Sequence, residues 1–186
     1  LLFGNLGIAL MHRERTRAEA DRLSTRDPLT ELLNRRSITG LVDRELLRIQ
    51  RSGEALALLM VSVDDFREIN NHFGQLAGDR VLRQFAGLLS TALRGQDLAG
   101  RYSSTEFCVL LPETDSRGAR TVAEKLQKAV AAAEIGPDGV RDTISAGIAE
   151  SVPGESSAAV ILARTDDALR RARHEGHANI EAGGME

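Results

Sequence analysis

Residues 98–111 read LAGRYSSTEFCVLL, and this stretch sets the fold class. Two short, mostly apolar segments, 98–103 and 106–111, are joined through Ser104 and Thr105. Apolar segments of this length around a small polar turn are typical of a β-hairpin. We therefore predict two antiparallel strands here, closed by a tip of small hydroxyl residues.

The segments on either side of the hairpin alternate between helical and strand patterns. Asp27 and Pro28 predict a helix start, as N-cap and first helical residue, and the helical spacing of apolar residues continues to Gln50. The continuous apolar run 55–63 predicts a strand buried on both faces. Further helices are predicted over 78–93, 116–133 and 158–175, and further strands over 141–149 and 177–182. The order β-α-β-β-α-β with a leading helix predicts an α/β fold, an α+β sandwich in which helices flank a mixed sheet of about five strands.

Composition excludes several classes of protein. With 186 residues, 42% apolar and 27% charged, the chain suits one globular domain with a short extension rather than a disordered segment. A net charge of −3 gives no electrostatic footprint for bulk nucleic-acid binding. The single cysteine, Cys108, excludes a disulfide within the chain and predicts a buried thiol. The four histidines, His12, His72, His174 and His177, lack zinc-ligand spacing.

The amino terminus shows a charge step. Residues 1–11 are apolar apart from Asn5 and two glycines, and the basic residues Arg13, Arg15 and Arg17 follow. A basic flank after an apolar run is typical of the cytoplasmic end of a membrane helix, so we expect the tail of a transmembrane helix that starts upstream. The alternative is a short hydrophobic helix that docks on the domain or on a partner chain. On the first interpretation, this is a cytoplasmic domain anchored at the inner membrane.

Several segments resemble the GGDEF domain of diguanylate cyclases over roughly residues 25–182. Residues 27–30 read DPLT and residues 34–36 read NRR, similar to the family's DxLTxLxNRR. Residues 63–70 read VDDFREIN and residues 74–79 read GQLAGD, similar to DIDxFKxIND followed by GHxxGD.

The second half of the chain continues the resemblance. The hairpin reads RYSSTEF at residues 101–107, where the family has RYGGDEF or RYGGEEF. Residues 145–149 read SAGIA, and residues 167–176 are similar to the family's ADxALYxAK. The order and spacing of these pieces imply a palm-like nucleotide-cyclase fold. The domain division expected from this is a linker or stalk helix over 12–26, a degenerate GGDEF domain over 27–182 and a tail over 183–186.

The resemblance implies an enzyme that joins two GTP molecules into cyclic di-GMP, with one GTP held by each domain of a dimer. That chemistry needs carboxylates for two metal ions, and the family takes them from the positions that match Ser62 and Thr105. Neutral hydroxyls are poor substitutes for the anionic ligands that magnesium prefers. Two neighbouring carboxylates are the alternatives to these ligands. Asp64 shares the strand side of Ser62, whereas Glu106 is expected to face the other way.

Two further departures fall where the family holds the phosphates. Ser103 and Ser104 bring Cβ atoms into space that two glycines leave open. In the last helix, the family's lysine corresponds to Arg173 and its arginine to His177, which is mostly neutral at pH 7. We therefore predict that cyclase activity is lost.

The family's guanine-reading pair is matched by Asn70 and Asp79. An amide and a carboxylate together satisfy the donor and acceptor edges of guanine, so a vestigial GTP or GDP pocket is one interpretation. The other is structural: Asn70 caps a turn, and Asp79 caps its helix or pairs with a cation.

Residues 94–97 read RGQD and match, in register, the family's RxxD inhibitory site for cyclic di-GMP. An arginine donates two hydrogen bonds to guanine O6 and N7, and an aspartate accepts from the N1 and N2 edge. The same pair elsewhere is usually a solvated salt bridge. Lys125 aligns with a basic residue that joins this site in some members. We therefore predict cyclic di-GMP binding by Arg94, Asp97 and Lys125.

The main prediction is a catalytically inactive GGDEF domain that acts as a cyclic di-GMP receptor. It requires no cofactor, and magnesium matters only if cyclase activity remains. The alternatives are a divergent diguanylate cyclase with product inhibition and a GTP-binding or interaction scaffold. Expected partners are cyclic di-GMP, GTP or GDP, and a second copy or another protein, but no nucleic acid.

Overall fold

The computed structural model describes residues 24–137 and 143–183. The apolar segment 1–11 and all but the end of the stalk predicted over 12–26 lie outside the described residues, as do residues 138–142. Within the described ranges, no helix is both long and apolar enough to cross a membrane.

The described chain forms six strands and five helices. In chain order they are β1 (Leu33–Asn34), α1 (Arg35–Ser52), β2 (Leu56–Val63), α2 (Phe66–Phe73), α3 (Gln75–Ala92), β3 (Leu98–Arg101), β4 (Glu106–Pro112), α4 (Ser116–Ala133), β5 (Ile144–Glu150), α5 (Ala158–His174) and β6 (Ile180–Ala182). The strands form one sheet in the order β1-β3-β4-β2-β5-β6. The pairs β1/β3 and β5/β6 are parallel and the central pairs are antiparallel, so the predicted mixed sheet is confirmed.

The core lies on both faces of the sheet, because β2 is buried along its whole length. Alternate residues of β2 contribute to two apolar clusters. One includes Leu59 and the edge-to-face ring pair of Phe85 and Phe107, and the other includes Met60 and Ile38. Helices therefore cover both faces, as the apolar run 55–63 predicted. Burial also raises the pKa of the Cys108 thiol to about 12, which fits the buried, inert cysteine expected from the sequence.

The predicted start of the first helix is wrong. Asp27 and Pro28 lie in a turn, where Asp27 Oδ1 accepts hydrogen bonds from both the backbone N–H and the hydroxyl of Thr30. The chain then pairs with β3 through β1, and the helix begins only at Arg35. Asn34 is the actual N-cap, accepting from the backbone N–H of Ser37 at 2.9 Å. Asp27 does accept hydrogen bonds as a capping residue would, but the residues that follow it pair with β3 before the helix begins.

The short helix α2 is absent from the sequence prediction. Its N-cap, Asp65, has φ 52 and makes no side-chain capping bond, so the hydrogen bond that an N-cap aspartate usually supplies is missing. Gly74, with φ 82, turns the chain from α2 into α3. This corner carries the segment that matches the family's guanine-reading motif.

Helix α5 packs directly on β5 at Gly147. A Cβ atom on Gly147 would lie 2.2 Å from the backbone nitrogen of Leu169 and 2.4 Å from the carbonyl oxygen of Thr165. Both neighbours are backbone atoms, so neither can turn aside. The glycine therefore fixes how closely α5, which carries Arg173, approaches the sheet.

Candidate nucleotide-binding sites

A cleft of about 600 Å³ opens where β2 ends, between the hairpin tip and the end of α5. Its lining is mostly polar and includes seven of the residues singled out from the sequence: Ser62, Asp64, Asn70, Ser104, Thr105, Arg173 and His177. Residues far apart in the sequence are thus brought to one place. The cleft is large enough for a nucleotide-sized ligand.

The two positions expected to hold metal ligands present hydroxyls to this cleft. Ser62 is 1% exposed and lies opposite Glu106 on β4 and Ser145 on β5. Its hydroxyl donates a long hydrogen bond to the carbonyl of Val63, at 3.4 Å. Thr105 lies across the cleft at the hairpin tip. Neither side chain can carry the negative charge that divalent cations prefer.

Asp64 is a carboxylate at this cleft, and both of its oxygens already accept hydrogen bonds from other parts of the chain. Oδ1 accepts from the hydroxyl of Ser145 at 2.8 Å, and Oδ2 accepts from the hydroxyl of Thr143 at 2.7 Å and the N–H of Ala178 at 3.1 Å. The carboxylate ties β2 to β5 and to the loop before β6. In the described ranges, no three acidic, imidazole or thiol groups come together as metal ligands. The residues present therefore do not fit the family's metal pair.

Glu106 is held by its own neighbours. Its Oε2 accepts from the hydroxyl of Ser103 at 2.8 Å, and its Oε1 lies 3.5 Å from the guanidinium of Arg173. It does not line the cleft, in keeping with the strand alternation that turns it away from Thr105. Its contact with Arg173 was not predicted, because the two residues are 67 positions apart.

His177 pairs with Asp65 at the mouth of the cleft. The distance from Nδ1 to Oδ2 is 3.3 Å, and the two side chains are 58% and 46% exposed. A polar contact this exposed contributes little to stability. The pair nevertheless holds the loop after α5 beside the end of β2.

In the described part of the chain, the side chains of the two residues matched to guanine recognition have no hydrogen-bond partner. Asn70 Oδ1 is buried and makes no hydrogen bond, and the side chain of Asp79 makes no hydrogen bond or ion pair with the described residues. The capping interpretation is therefore not supported: α3 is capped by Gly74 without a side-chain bond. Gly78 packs so closely that a Cβ there would lie 2.0 Å from Asn70 Oδ1. This glycine makes room for the amide.

The RxxD segment forms a tight turn between α3 and β3. Oδ2 of Asp97 accepts the backbone N–H of Arg94 at 2.8 Å, and the N–H of Asp97 donates to the carbonyl of Arg94 at 3.1 Å. Asp97 is 9% exposed, whereas the Arg94 side chain is exposed. In the described part of the chain no salt bridge joins the two side chains, so the alternative of a simple Arg–Asp pair is not seen, and the guanidinium and the second carboxylate oxygen have no partner there.

Lys125 reaches the same corner from α4. Its Nζ donates to the carbonyl of Ala92, the last residue of α3, at 3.0 Å. The carbonyl that the ammonium contacts is thus two residues before Arg94, where the turn begins. The contact that Lys125 makes is with the end of α3, and its place in one site with Arg94 and Asp97 stays a prediction.

One contact between distant parts of the chain could not be predicted from the sequence. The guanidinium of Arg101 contacts Asp27 at 3.2 Å and donates to the carbonyl of Ser104 at 2.8 Å, which links the N-terminal turn to the hairpin tip. Burial raises the pKa of the Asp27 carboxyl. The hydrogen bonds from Thr30 and the charge of Arg101 outweigh this effect, so the pKa lies below its ordinary value of 3.8.

Comparisons with known proteins agree with this geometry. The family model described as "Diguanylate cyclase, GGDEF domain" matches residues 24–179. Diguanylate cyclase DgcP of Pseudomonas aeruginosa is 38% identical over 157 residues, which make up 83% of this chain and 23% of that protein. Response regulator PleD of Caulobacter vibrioides is 33% identical over 158 residues, 83% of this chain and 35% of that protein. The chain therefore spans only a minor part of either relative.

Solved structures show the same fold. The GGDEF domain of DgcB from Caulobacter crescentus, in complex with cyclic di-GMP, aligns with a TM-score of 0.81 at 27% identity over 86% of this chain and 96% of that one. Diguanylate cyclase SiaD from Pseudomonas aeruginosa, in complex with its activator SiaC, aligns with a TM-score of 0.80 at 33% identity over 97% of this chain and 71% of that one. Together with the family match over most of its length, these likenesses place the chain in the GGDEF domain family of diguanylate cyclases.

Proposed function

We propose that this domain binds cyclic di-GMP at Arg94, Asp97 and Lys125 and does not synthesise it. The observation that carries the proposal is the contrast between two sites. The positions for metal carboxylates are Ser62 and Thr105, whereas the RxxD turn is formed and the guanidinium of its arginine has no partner among the described residues.

The turn offers the groups that a guanine base requires. Arg94 supplies a free guanidinium fork for O6 and N7, and the unpaired Oδ1 of Asp97 supplies an acceptor for the N1–H and N2–H groups. Because Oδ2 of Asp97 is fixed by the N–H of Arg94, the carboxylate is held in place before the ligand arrives. Lys125 adds a positive charge that favours the ligand's phosphates. The solved DgcB domain in complex with cyclic di-GMP supports binding by a domain of this fold.

The loss of synthesis follows from the donor set. Magnesium is usually held by one or two protein carboxylates together with substrate phosphates. Here the nearby carboxylate of Asp64 already accepts three hydrogen bonds. Freeing it for a metal ion would leave Thr143, Ser145 and the N–H of Ala178 without their partner.

A second candidate function is the binding of a guanine nucleotide in the cleft without turnover. The buried and unpartnered Oδ1 of Asn70 favours it, because a buried polar atom with no partner is costly unless a ligand satisfies it. The free carboxylate of Asp79 would complete recognition of the base. In this case the cleft acts as a regulatory site that recognises a guanine base, separate from the cyclic di-GMP site.

Binding of cyclic di-GMP alone changes no chemical bond, so this domain must act on another protein through a surface contact. We propose a second copy of the domain or a different protein as the recipient. The solved complex of SiaD with its activator SiaC shows that a cyclase of similar structure engages a protein partner.

Calorimetric titration with cyclic di-GMP tests the receptor proposal. Wild type should bind, and Arg94→Ala should bind roughly 10- to 150-fold more weakly, the effect of losing a charged hydrogen-bond donor worth about 1.5–3 kcal/mol. Arg83→Ala is the matched control, since it removes an exposed arginine from the preceding helix and changes net charge equally. Equal affinity in Arg94→Ala and wild type, or no binding by wild type, would refute the proposal.

A further inference from the structure

The hairpin tip is closed by a single side chain, that of Ser103. Its hydroxyl donates to Oε2 of Glu106 at 2.8 Å and accepts the backbone N–H groups of Glu106 at 3.2 Å and Thr105 at 3.4 Å. A serine hydroxyl has one donor and two acceptor sites, so this side chain is fully engaged.

Of the two amides that Ser103 engages, that of Thr105 belongs to a residue that lines the cleft, and that of Glu106 belongs to the next residue, which does not line it. Thr105 lines the cleft, and Ser104 lines it beside Thr105. Successive backbone N–H groups in a turn form a concave site for anions. In this chain, the Ser103 oxygen occupies the position beside those N–H groups that an anionic oxygen would otherwise take.

The same hydroxyl also affects the nearest cation. Through its bond to Glu106, Ser103 orients the carboxylate whose other oxygen faces Arg173 at 3.5 Å. Arg173 lines the cleft and is 50% exposed, so it is a natural partner for a phosphate. Glu106 competes for that guanidinium.

We propose that the Ser103 hydroxyl excludes nucleotide phosphates from the cleft by occupying the amides of Thr105 and Glu106 and by holding Glu106 toward Arg173. Ser103 thus determines specificity. The cleft accepts the guanosine part of a ligand and rejects its phosphate chain, and the hydroxyl rather than the Cβ atom is the excluding group. This inference rests on the second candidate function, guanine binding in the cleft.

Calorimetry on the full chain, with GTP, GDP and guanosine in the presence of EDTA, tests the inference. Ser103→Gly and Ser103→Ala should both bind GTP and GDP at least about tenfold more tightly than wild type, because charge-assisted hydrogen bonds from the freed amides become available. Affinity for guanosine should change less than about twofold in both. Ser103→Thr keeps the hydroxyl and should behave as wild type.

Ser52→Ala is the matched control. Ser52 makes the same kind of local contacts, with its hydroxyl donating to Glu54 and accepting the N–H of Glu54, on the last residue of α1. It should leave GTP affinity at the wild-type value. Tighter GTP binding by Ser103→Gly alone would assign the exclusion to the Cβ atom and overturn the inference, as would no gain in either variant.

The inference and the functional proposals fail separately. Cyclic di-GMP affinity depends on the turn at Arg94 and should be the same in all Ser103 variants. A gain in guanosine affinity equal to that for GTP would show that Ser103 does not act on phosphates. If no variant binds guanosine or GTP at all, guanine recognition by the cleft is refuted together with this inference, and the cyclic di-GMP proposal stands.

Discussion

Asp97 has two roles that one pair of substitutions can separate. Its Oδ2 accepts the backbone N–H of Arg94 at 2.8 Å, which stabilises the turn, and its Oδ1 is left for the ligand. Asp97→Ala removes both oxygens. Asp97→Asn keeps an oxygen for the N–H of Arg94, and that hydrogen bond fixes the amide so that its NH₂ group takes the place of Oδ1.

The expected magnitudes follow from these contacts. Asp97 is 9% exposed, so loss of its charge-assisted hydrogen bond in Asp97→Ala should destabilise the fold by about 1–2 kcal/mol. Asp97→Asn retains a neutral hydrogen bond and should cost no more than about 1 kcal/mol. In the ligand site, however, the new NH₂ group faces the N1–H and N2–H donors of guanine. Both variants should therefore weaken cyclic di-GMP binding by about 1.5–3 kcal/mol, roughly 10- to 150-fold.

Urea unfolding measures the first effect and calorimetric titration the second. The prediction is a split in Asp97→Asn, with nearly normal stability and strongly reduced affinity. If Asp97→Asn binds cyclic di-GMP as tightly as wild type, Asp97 only shapes the turn and the assignment of its Oδ1 to the ligand is wrong.

Three further predictions concern stability, base recognition and pH. Gly147→Ala should lower the free energy of unfolding in urea by at least about 2 kcal/mol, because the new Cβ meets backbone atoms. Gly87→Ala, in open space on α3, should raise it by about 0.5–1 kcal/mol. The reverse order would contradict the packing described. Gly78→Ala should push Asn70 aside and weaken guanosine binding at least about tenfold in calorimetry, and unchanged affinity would remove Asn70 from the site. The pKa of Asp27 is lowered in the folded state, so its contribution to stability is present above the ordinary pKa of 3.8 and is lost as pH falls through the folded-state pKa. In Asp27→Asn, the free energy of unfolding should therefore fall less steeply in acid than in wild type. An identical dependence on pH would argue against the link to Arg101.

The sequence predicted the elements that local patterns determine. The hairpin, α4 and the central strand β2 lie close to their predicted positions, because apolar segments around a small polar turn, a helical pattern and a continuous apolar run are all local signals. The start of the first helix was wrong, since β1 pairs with β3 across more than sixty residues. No local pattern can report such a pairing.

The candidate sites divide in the same way. Motif spacing predicted that Asn70 and Arg173 lie at one cleft and that Asp97 lies in a turn with Arg94, and the structure has them there. The sequence could not show that Asp64 is taken up by Thr143 and Ser145, about 80 residues away. These contacts depend on which strand lies beside which. They engage the carboxylate of Asp64, and the argument against a metal pair depends in part on them.

The most direct test of the central claim is an assay for synthesis. The full chain, freed of bound nucleotide, is incubated with GTP and either magnesium or manganese, and cyclic di-GMP is measured over time by chromatography. With hydroxyls at Ser62 and Thr105 and with Asp64 engaged, we predict no accumulation of cyclic di-GMP above a protein-free control. Formation that increases with time and with protein concentration would contradict the claim.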